Sequence, residues 1–265
     1  MGRRWGGRML LVMAAALGAA VLAGCATAAP SPGAAPSPSA PSSGIDTDAT
    51  LRCGDTPVPA RALTEPRPAT ELSAEVLAVL ENPLADVDEP LSDWLIAHET
   101  VERVVIMRER EEPVDLGGGD IATYDLRAIE AADEHALPLD APWGLVGAAN
   151  CTPRIDLGTL TGAGVTLDPD ALPDGGDERI VLLVTERECN SGRPATDRVE
   201  LVELVETETT VEVVIGVRPH ESGAFTCPSN PPTPFTVELE QPLGDRVIFD
   251  AAVAPAREIS AGERY

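Results

Sequence analysis

Lysine is absent from this chain of 265 residues: all 19 basic residues are arginine, set against 44 acids, for a formal net charge of −25. Three of the arginines and none of the acids precede Cys25, so the chain from Cys25 onward holds 16 Arg against the same 44 acids, a formal −28. Phosphate backbones are bound through a basic footprint, and without one nucleic acid is excluded as a partner. Anionic lipid headgroups repel the body of the chain for the same reason. Histidine is scarce: His98, His135 and His220 lie far apart, and Glu99 follows His98 without the second histidine of H-E-x-x-H, which excludes a zinc protease of that type. No G-x-S-x-G surrounds any serine, and Ser191-Gly192 and Ser222-Gly223 read as turns. The five cysteines include no C-x-x-C pair and no close histidine, the wrong spacing for a zinc site. Aromatics are limited to three Trp, two Tyr and three Phe, most of them on predicted strands or helices, where core packing is their use. The first uncharged stretch, Met9 to Ala29, has a Leu/Val/Met core only as far as Leu22. That is shorter than the roughly 20 strongly apolar residues of a comfortable bilayer span, so a retained transmembrane helix is the weaker reading.

What is present at the start is a layout. Arg3, Arg4 and Arg8 precede the apolar run, and Leu22, Ala23 and Gly24 lead into Cys25, the arrangement of a secretory signal over residues 1–24. The four residues resemble the lipobox of bacterial lipoproteins. That resemblance implies cleavage before Cys25 and a diacylglyceryl group on its thiol, which makes Cys25 the lipidation site and the membrane the first partner. Each buried methylene contributes about 0.8 kcal/mol, so two acyl chains hold where one exchanges. Ala26-Thr27-Ala28 also forms an A-x-A site, which leaves ordinary cleavage and release open. Residues 25–50 hold Pro30, Pro32, Pro36, Pro38 and Pro41 among Ala and Ser, and lack the large apolar side chains that offset the entropy of ordering. They read as a disordered tether with polyproline character. Its 25 residues after the cysteine reach on the order of 75 Å at about 3.1 Å each.

Beyond the tether the chain divides into residues 51–153 and 154–265. Four cysteines remain there, Cys53, Cys151, Cys189 and Cys227, and in an exported protein an even number implies disulfides, with three pairings open. Pairing within each block, Cys53 with Cys151 and Cys189 with Cys227, is the expectation. In the first block an i, i+4, i+5, i+8 stripe of Leu72, Val76, Leu77 and Leu80 predicts a helix over Ala69 to Leu80, ended by Asn82 and Pro83. A second short helix is expected over Leu91 to His98. Strands over Val101–Arg110, Ile121–Ile129 and Trp143–Cys151 complete a three-stranded antiparallel meander. The second block reads as strands over Arg179–Thr185, Val199–Val205, Thr209–Val217, Phe235–Glu240 and Arg246–Ala251, separated by Gly, Pro, Asp and Asn. The fold class expected is therefore an α+β N-terminal region followed by a small all-β, sandwich-like region, disulfide-stabilised throughout.

Three stretches of the second block carry a resemblance: Val184-Thr-Glu-Arg-Glu-Cys189-Asn-Ser-Gly192-Arg193, then Thr226-Cys227-Pro-Ser-Asn230-Pro-Pro-Thr-Pro234-Phe-Thr-Val-Glu-Leu239, then Gln241-Pro-Leu-Gly-Asp-Arg246. With Trp143 to Pro153 they resemble a family of actinobacterial exported lipoproteins to which no activity is attached, over roughly Trp143 to Ala251. The arginine-only basic set and the Ala, Gly, Pro and Val bias resemble coding from a high-GC genome in the same way. Where that family has a glycine after the aspartate, this chain has Ala251 after Asp250. The resemblance implies export and a disulfide-bearing domain, and supplies no catalytic residue.

Of the remaining candidates, Asp168, Asp170, Asp174, Asp177 and Glu178 form the densest acidic constellation, and calcium takes six to eight such oxygens. Leu172 and Pro173 interrupt the alternation that a calcium loop needs, and Asp-Pro with Asp-Gly-Gly is equally turn chemistry, so the site is a weak candidate and no metal is assigned. Asp86, Asp88 and Glu89 raise the same idea with less support. Gly117-Gly118-Gly119-Asp120 precedes a strand and reads as a hairpin loop with no phosphate to cradle. Asn150-Cys151-Thr152 is formally a glycosylation sequon with a bonded cysteine at its centre. No cofactor is called for. The expected function is that of a lipid-anchored envelope protein on the outer face of the cytoplasmic membrane, binding a protein or small ligand without catalysis; the alternative is an envelope hydrolase with a carboxylate pair.

Overall fold

Alternating and continuous apolar runs decide which segments become strands and how deeply each is covered. The computed structural model describes residues 46–87, 90–132, 142–221 and 223–262. The signal segment, nearly all of the tether, Cys25, Asp88, Glu89, His135 and Ser222 lie outside the described residues. Strands greatly outweigh helices, and two disulfides join them.

The chain opens with β1 (Thr50–Cys53) and β2 (Thr56–Pro59), an antiparallel pair around Gly54, whose φ of +60° suits the turn. Two short helices follow, α1 (Arg61–Thr64) and α2 (Ala74–Leu80). The helix expected from Ala69 begins only after its N-cap, Ser73. That residue is extended at φ −64°, ψ 154°, and its hydroxyl accepts from the Val76 N–H, which satisfies an orphan donor and sets the start. Residues Ala69–Glu71 form a separate 3₁₀ turn.

The second expected helix is a correction. Leu91–Asp93 makes one 3₁₀ turn, and Leu95–Glu99 is a strand, β3. Its Ile96 and Ala97 are both buried, one on each side of the sheet, an arrangement that a single amphipathic helix stripe cannot provide. β3 pairs with β4 (Arg103–Gly117), which pairs with β5 (Asp120–Ala131), which pairs with β6 (Trp143–Cys151), all antiparallel. The meander thus has four strands. The run Val104-Val105-Ile106-Met107 is buried throughout because both faces of the sheet are covered. Val104 and Ile106 pack with α2 and Trp94, while Val105 and Met107 pack with β1, β2 and the Cys53–Cys151 bond. Val101, expected to begin β4, lies in the turn and is 87% exposed.

The remaining strands are β7 (Arg154–Ile155), β8 (Thr161–Leu167), β9 (Arg179–Glu186), β10 (Val199–Glu206), β11 (Thr210–Val217), β12 (Thr233–Glu238), β13 (Val247–Asp250) and β14 (Arg257–Glu258). β8 serves two neighbours: its first residues, Thr161 and Gly162, pair with β11, and Ala163 to Leu167 pair with β9. The order β12-β9-β8-β11-β13-β14 follows, with β10 also on β11. β11 is flanked by β10, β13 and β8, and it is buried at every position, on both faces. The face that alternation marks as mixed, Thr210, Glu212 and Val214, is therefore inside as well.

The two blocks share backbone. β7 pairs with β1, and Arg154 bridges Val253. The β4–β5 hairpin tip rests on β8 and β9 at near-contact distance: a Cβ on Gly164 would lie 2.1 Å from the Gly118 carbonyl oxygen, and one on Gly119 would lie 2.7 Å from the Val165 nitrogen. Gly118 and Gly119 also hold φ of +59° and +82°, so the hairpin that the glycines predict is also the contact between the blocks.

Candidate functional site

Where β1, the β4–β5 tip, β7, β8 and the end of β9 meet, they leave an open groove of about 870 Å³. Its walls are unusual for a ligand site. Six glycines, among them Gly54, Gly118, Gly158 and Gly162, present bare backbone, and no aromatic side chain lines it. The charged lining is Arg52, Arg154 and Arg187 with Asp55, Asp120, Asp156, Glu186 and Glu188.

Most of that charge is already committed. Asp120 accepts from Arg154 Nη2 at 3.1 Å and from Arg187 Nε at 2.8 Å. Arg154 also donates through Nη1 to the Ala163 carbonyl at 3.0 Å, so it ties β7 to β5 and β8. Glu186 sits in a fork with Arg198, whose Nη1 donates to Oε1 at 2.7 Å and whose Nη2 donates to Oε2. Beneath the groove Asp250 is 1% exposed, with Oδ1 accepting from the Ala252 N–H at 3.0 Å and Oδ2 3.9 Å from Arg257 Nη2. Arg257 Nη2 donates to the Gly119 carbonyl at 2.8 Å, again across the two blocks. Burial pushes the Asp250 carboxyl above the ordinary range for aspartate, against the opposing pull of Arg154 and Arg257. Burial likewise lowers the Arg154 guanidinium, partly offset by Asp250 and Asp120.

A glycosidase pair needs one carboxyl kept protonated beside one left ionised across a cleft. The two most buried acids of this groove, Asp120 and Glu186, are instead each paired with arginine. Asp250, the acid with the raised pKa, does not line the groove.

Cys53 is joined to Cys151 and Cys189 to Cys227. The first bond is inside the core, at 6% and 8% exposure, while the second borders the groove with Cys227 exposed. The acidic constellation is spent on turns: Asp168 Oδ1 accepts from the Asp170 N–H, Asp174 Oδ1 from the Gly176 N–H, and Asp177 Oδ2 from the Asp174 N–H. Glu178 contributes its backbone carbonyl to the Leu239 N–H. Among the described residues no group of three His, Cys, Asp or Glu is placed to hold a metal. Asp86 pairs with Arg127, which lies over the Trp94 ring at 5.4 Å. His98 is on β3, while His220 meets Asn190 Oδ1 at 2.6 Å and stacks on Phe225. Asn150 is exposed and Thr152 donates to the Ile121 carbonyl. No helix among the described residues is long and apolar enough to cross a membrane.

The cluster of Asp120, Arg154, Arg187, Asp250 and Arg257 was not anticipated by spacing, because its members come from five separate segments. One local signal exists: Asp250 ends the apolar run Val247-Ile248-Phe249, where an acid must find partners or lose its charge. Comparison with protein-family models, with curated proteins and with solved structures gives no match to this chain.

Proposed function

We propose that this chain is an envelope lipoprotein, held on the outer face of the cytoplasmic membrane by a diacylglyceryl thioether on Cys25, whose body binds a protein or small ligand without catalysis. The observation that carries the location is the basic head, apolar run and Leu22-Ala23-Gly24-Cys25 sequence. The Ala/Pro/Ser tether lifts an acidic body away from headgroups that repel it. Membership of the actinobacterial lipoprotein family that the Cys189 and Cys227 stretches resemble belongs to the same proposal. So does the architecture of an α+β first region joined to a sandwich-like second region, which the switch of β8 between β9 and β11 supports.

The binding surface of this reading is the glycine-walled groove, supported by the arginine pairing of its buried acids. Metabolic labelling with an alkyne fatty acid tests the anchor: the wild-type chain takes up label and Cys25→Ala does not. An unlabelled wild-type protein, or one free in the medium with its N-terminus at Ala29, overturns the location. Crosslinking on intact cells from a photoreactive residue at Asp55, on the groove rim, then identifies what the groove meets.

A further inference from the structure

The two disulfides differ in a way that their pairing does not reveal. Cys53 and Cys151 join β1 to the end of β6 inside a hydrophobic cluster with Leu51, Val58 and Tyr124. Cys189 and Cys227 join two stretches that belong to no strand or helix, and Cys227 is exposed. Residues 223–232 have no regular secondary structure, and hydrogen bonds and one aromatic stack hold them. The Ser191 N–H donates to the Thr226 carbonyl at 3.0 Å, and the Thr226 N–H donates back to Ser191 Oγ at 3.1 Å. Asn230 Nδ2 donates to the Glu186 and Glu188 carbonyls at 2.9 and 2.7 Å. Phe225 stacks on His220 at 4.5 Å under Arg193 and leaves the three main hydrophobic clusters without a contribution from this segment. Cys227, Pro228, Ser229 and Asn230 form one wall of the groove.

We propose that the Cys189–Cys227 bond is a thiol-exchange switch: an envelope dithiol reductant opens it, the 223–232 wall loosens from Ser191 and Glu188, and the Cys53–Cys151 bond stays closed. Exchange needs access of a thiolate to a sulfur, and Cys227 is an exposed residue whereas Cys53 and Cys151 are 6% and 8% exposed. In the first step one thiolate of the reductant attacks Cys227 Sγ and the Cys189 thiolate leaves, to be protonated. In the second, the other thiolate of the reductant attacks its own sulfur in the mixed disulfide and expels the Cys227 thiolate. Two electrons and two protons pass to the protein, and the reductant leaves as a disulfide. A bond that pins an irregular segment outside the main hydrophobic clusters removes part of that segment's order when it opens. This inference adds regulation to the groove reading and stands without any ligand, because its readout is sulfur chemistry.

The test uses the full-length protein in detergent micelles, treated with graded dithiothreitol under native conditions, quenched with N-ethylmaleimide and mapped by mass spectrometry. Cys189 and Cys227 are expected to label at least about tenfold faster than Cys53 and Cys151. Chymotryptic cleavage after Phe225 is expected to rise by about tenfold in the same samples. A Cys189→Ser, Cys227→Ser double variant should show the fast cleavage without reductant. Simultaneous opening of both bonds, earlier labelling of Cys53 and Cys151, or protection of Phe225 after its disulfide has opened each overturns the switch. Loss of the groove reading leaves the labelling order unchanged, so the two failures are distinguishable.

Discussion

Residues 51–153 and 154–265 solve the same packing problem differently. The first region sandwiches one sheet between two apolar layers, and its disulfide is a member of one of them, buried with Leu51, Val58 and Met107. The second region gathers one cluster around β11, whose Val211, Val213, Ile215 and Val217 are all at 0 or 1% exposure, and leaves its disulfide outside. A crosslink inside a small core is part of the packing, whereas one at the rim of a self-sufficient core restrains a loop. The comparison therefore predicts unequal costs for equal chemistry.

The sharpest way to break it is to remove each bond in turn. The chain-entropy model gives about 5 kcal/mol for the 98-residue separation of Cys53 and Cys151, and about 4 kcal/mol for the 38-residue separation of Cys189 and Cys227. Cys53→Ala with Cys151→Ala should lose the full amount in denaturant unfolding. Cys189→Ala with Cys227→Ala should lose only about 2 kcal/mol, because the segment it frees makes little native packing. Equal losses would erase the distinction. Next in size, Arg198→Ala leaves Glu186 buried without its partner and should cost about 4 kcal/mol, read as a lower midpoint at unchanged m-value.

The join between the regions gives a third handle. Gly164→Ala drives a methyl into the Gly118 carbonyl oxygen and should cost about 3 kcal/mol. If the regions unfold as one unit, calorimetry shows a single lowered transition; a split into two transitions would show them independent. A fourth test uses acid. Burial would raise the Glu206 carboxyl, but the Glu240 N–H and Arg246 more than offset it and hold it below the ordinary glutamate range. A lowered acid contributes stability above its unfolded value of about 4.3 that is lost as pH falls through the folded value. Melting temperature should therefore fall less steeply below about pH 4.3 in Glu206→Gln than in the wild type. Asp250 has the opposite sign: its contribution is present below about pH 3.9 and lost as pH rises through its raised folded value, so Asp250→Asn flattens that side. The smallest effect is at the helix start, where Ser73→Ala removes the cap on Val76 and should lower stability by about 1 kcal/mol in the same unfolding assay.

Much of the strand content was legible because period-2 alternation and Gly/Pro punctuation are local. Trp143–Cys151 falls where expected, and β9 to β11 lie within a residue or so of their expected limits. Leu95–Glu99 misled because a five-residue apolar strand and a short helix stripe look alike until a partner strand is known. β8 escaped notice because Thr161-Gly-Ala-Gly carries little hydrophobic signal; its Gly164 leaves room for the hairpin tip to approach. The candidate site was the least legible part. Nothing in the spacing of Asp120, Arg154, Arg187, Asp250 and Arg257 links them, and charge pairing across five segments has no period.

By itself the sequence determines the acidity, the thiol count and most strand positions, because each depends on composition or on neighbours within about ten residues. Only the tertiary structure decides that β11 is buried on both faces, that the buried acids of the groove pair with arginine, and that one disulfide is core while the other is rim. Those depend on which surfaces meet after the chain has closed on itself, and burial, the quantity that sets their energies, exists only then.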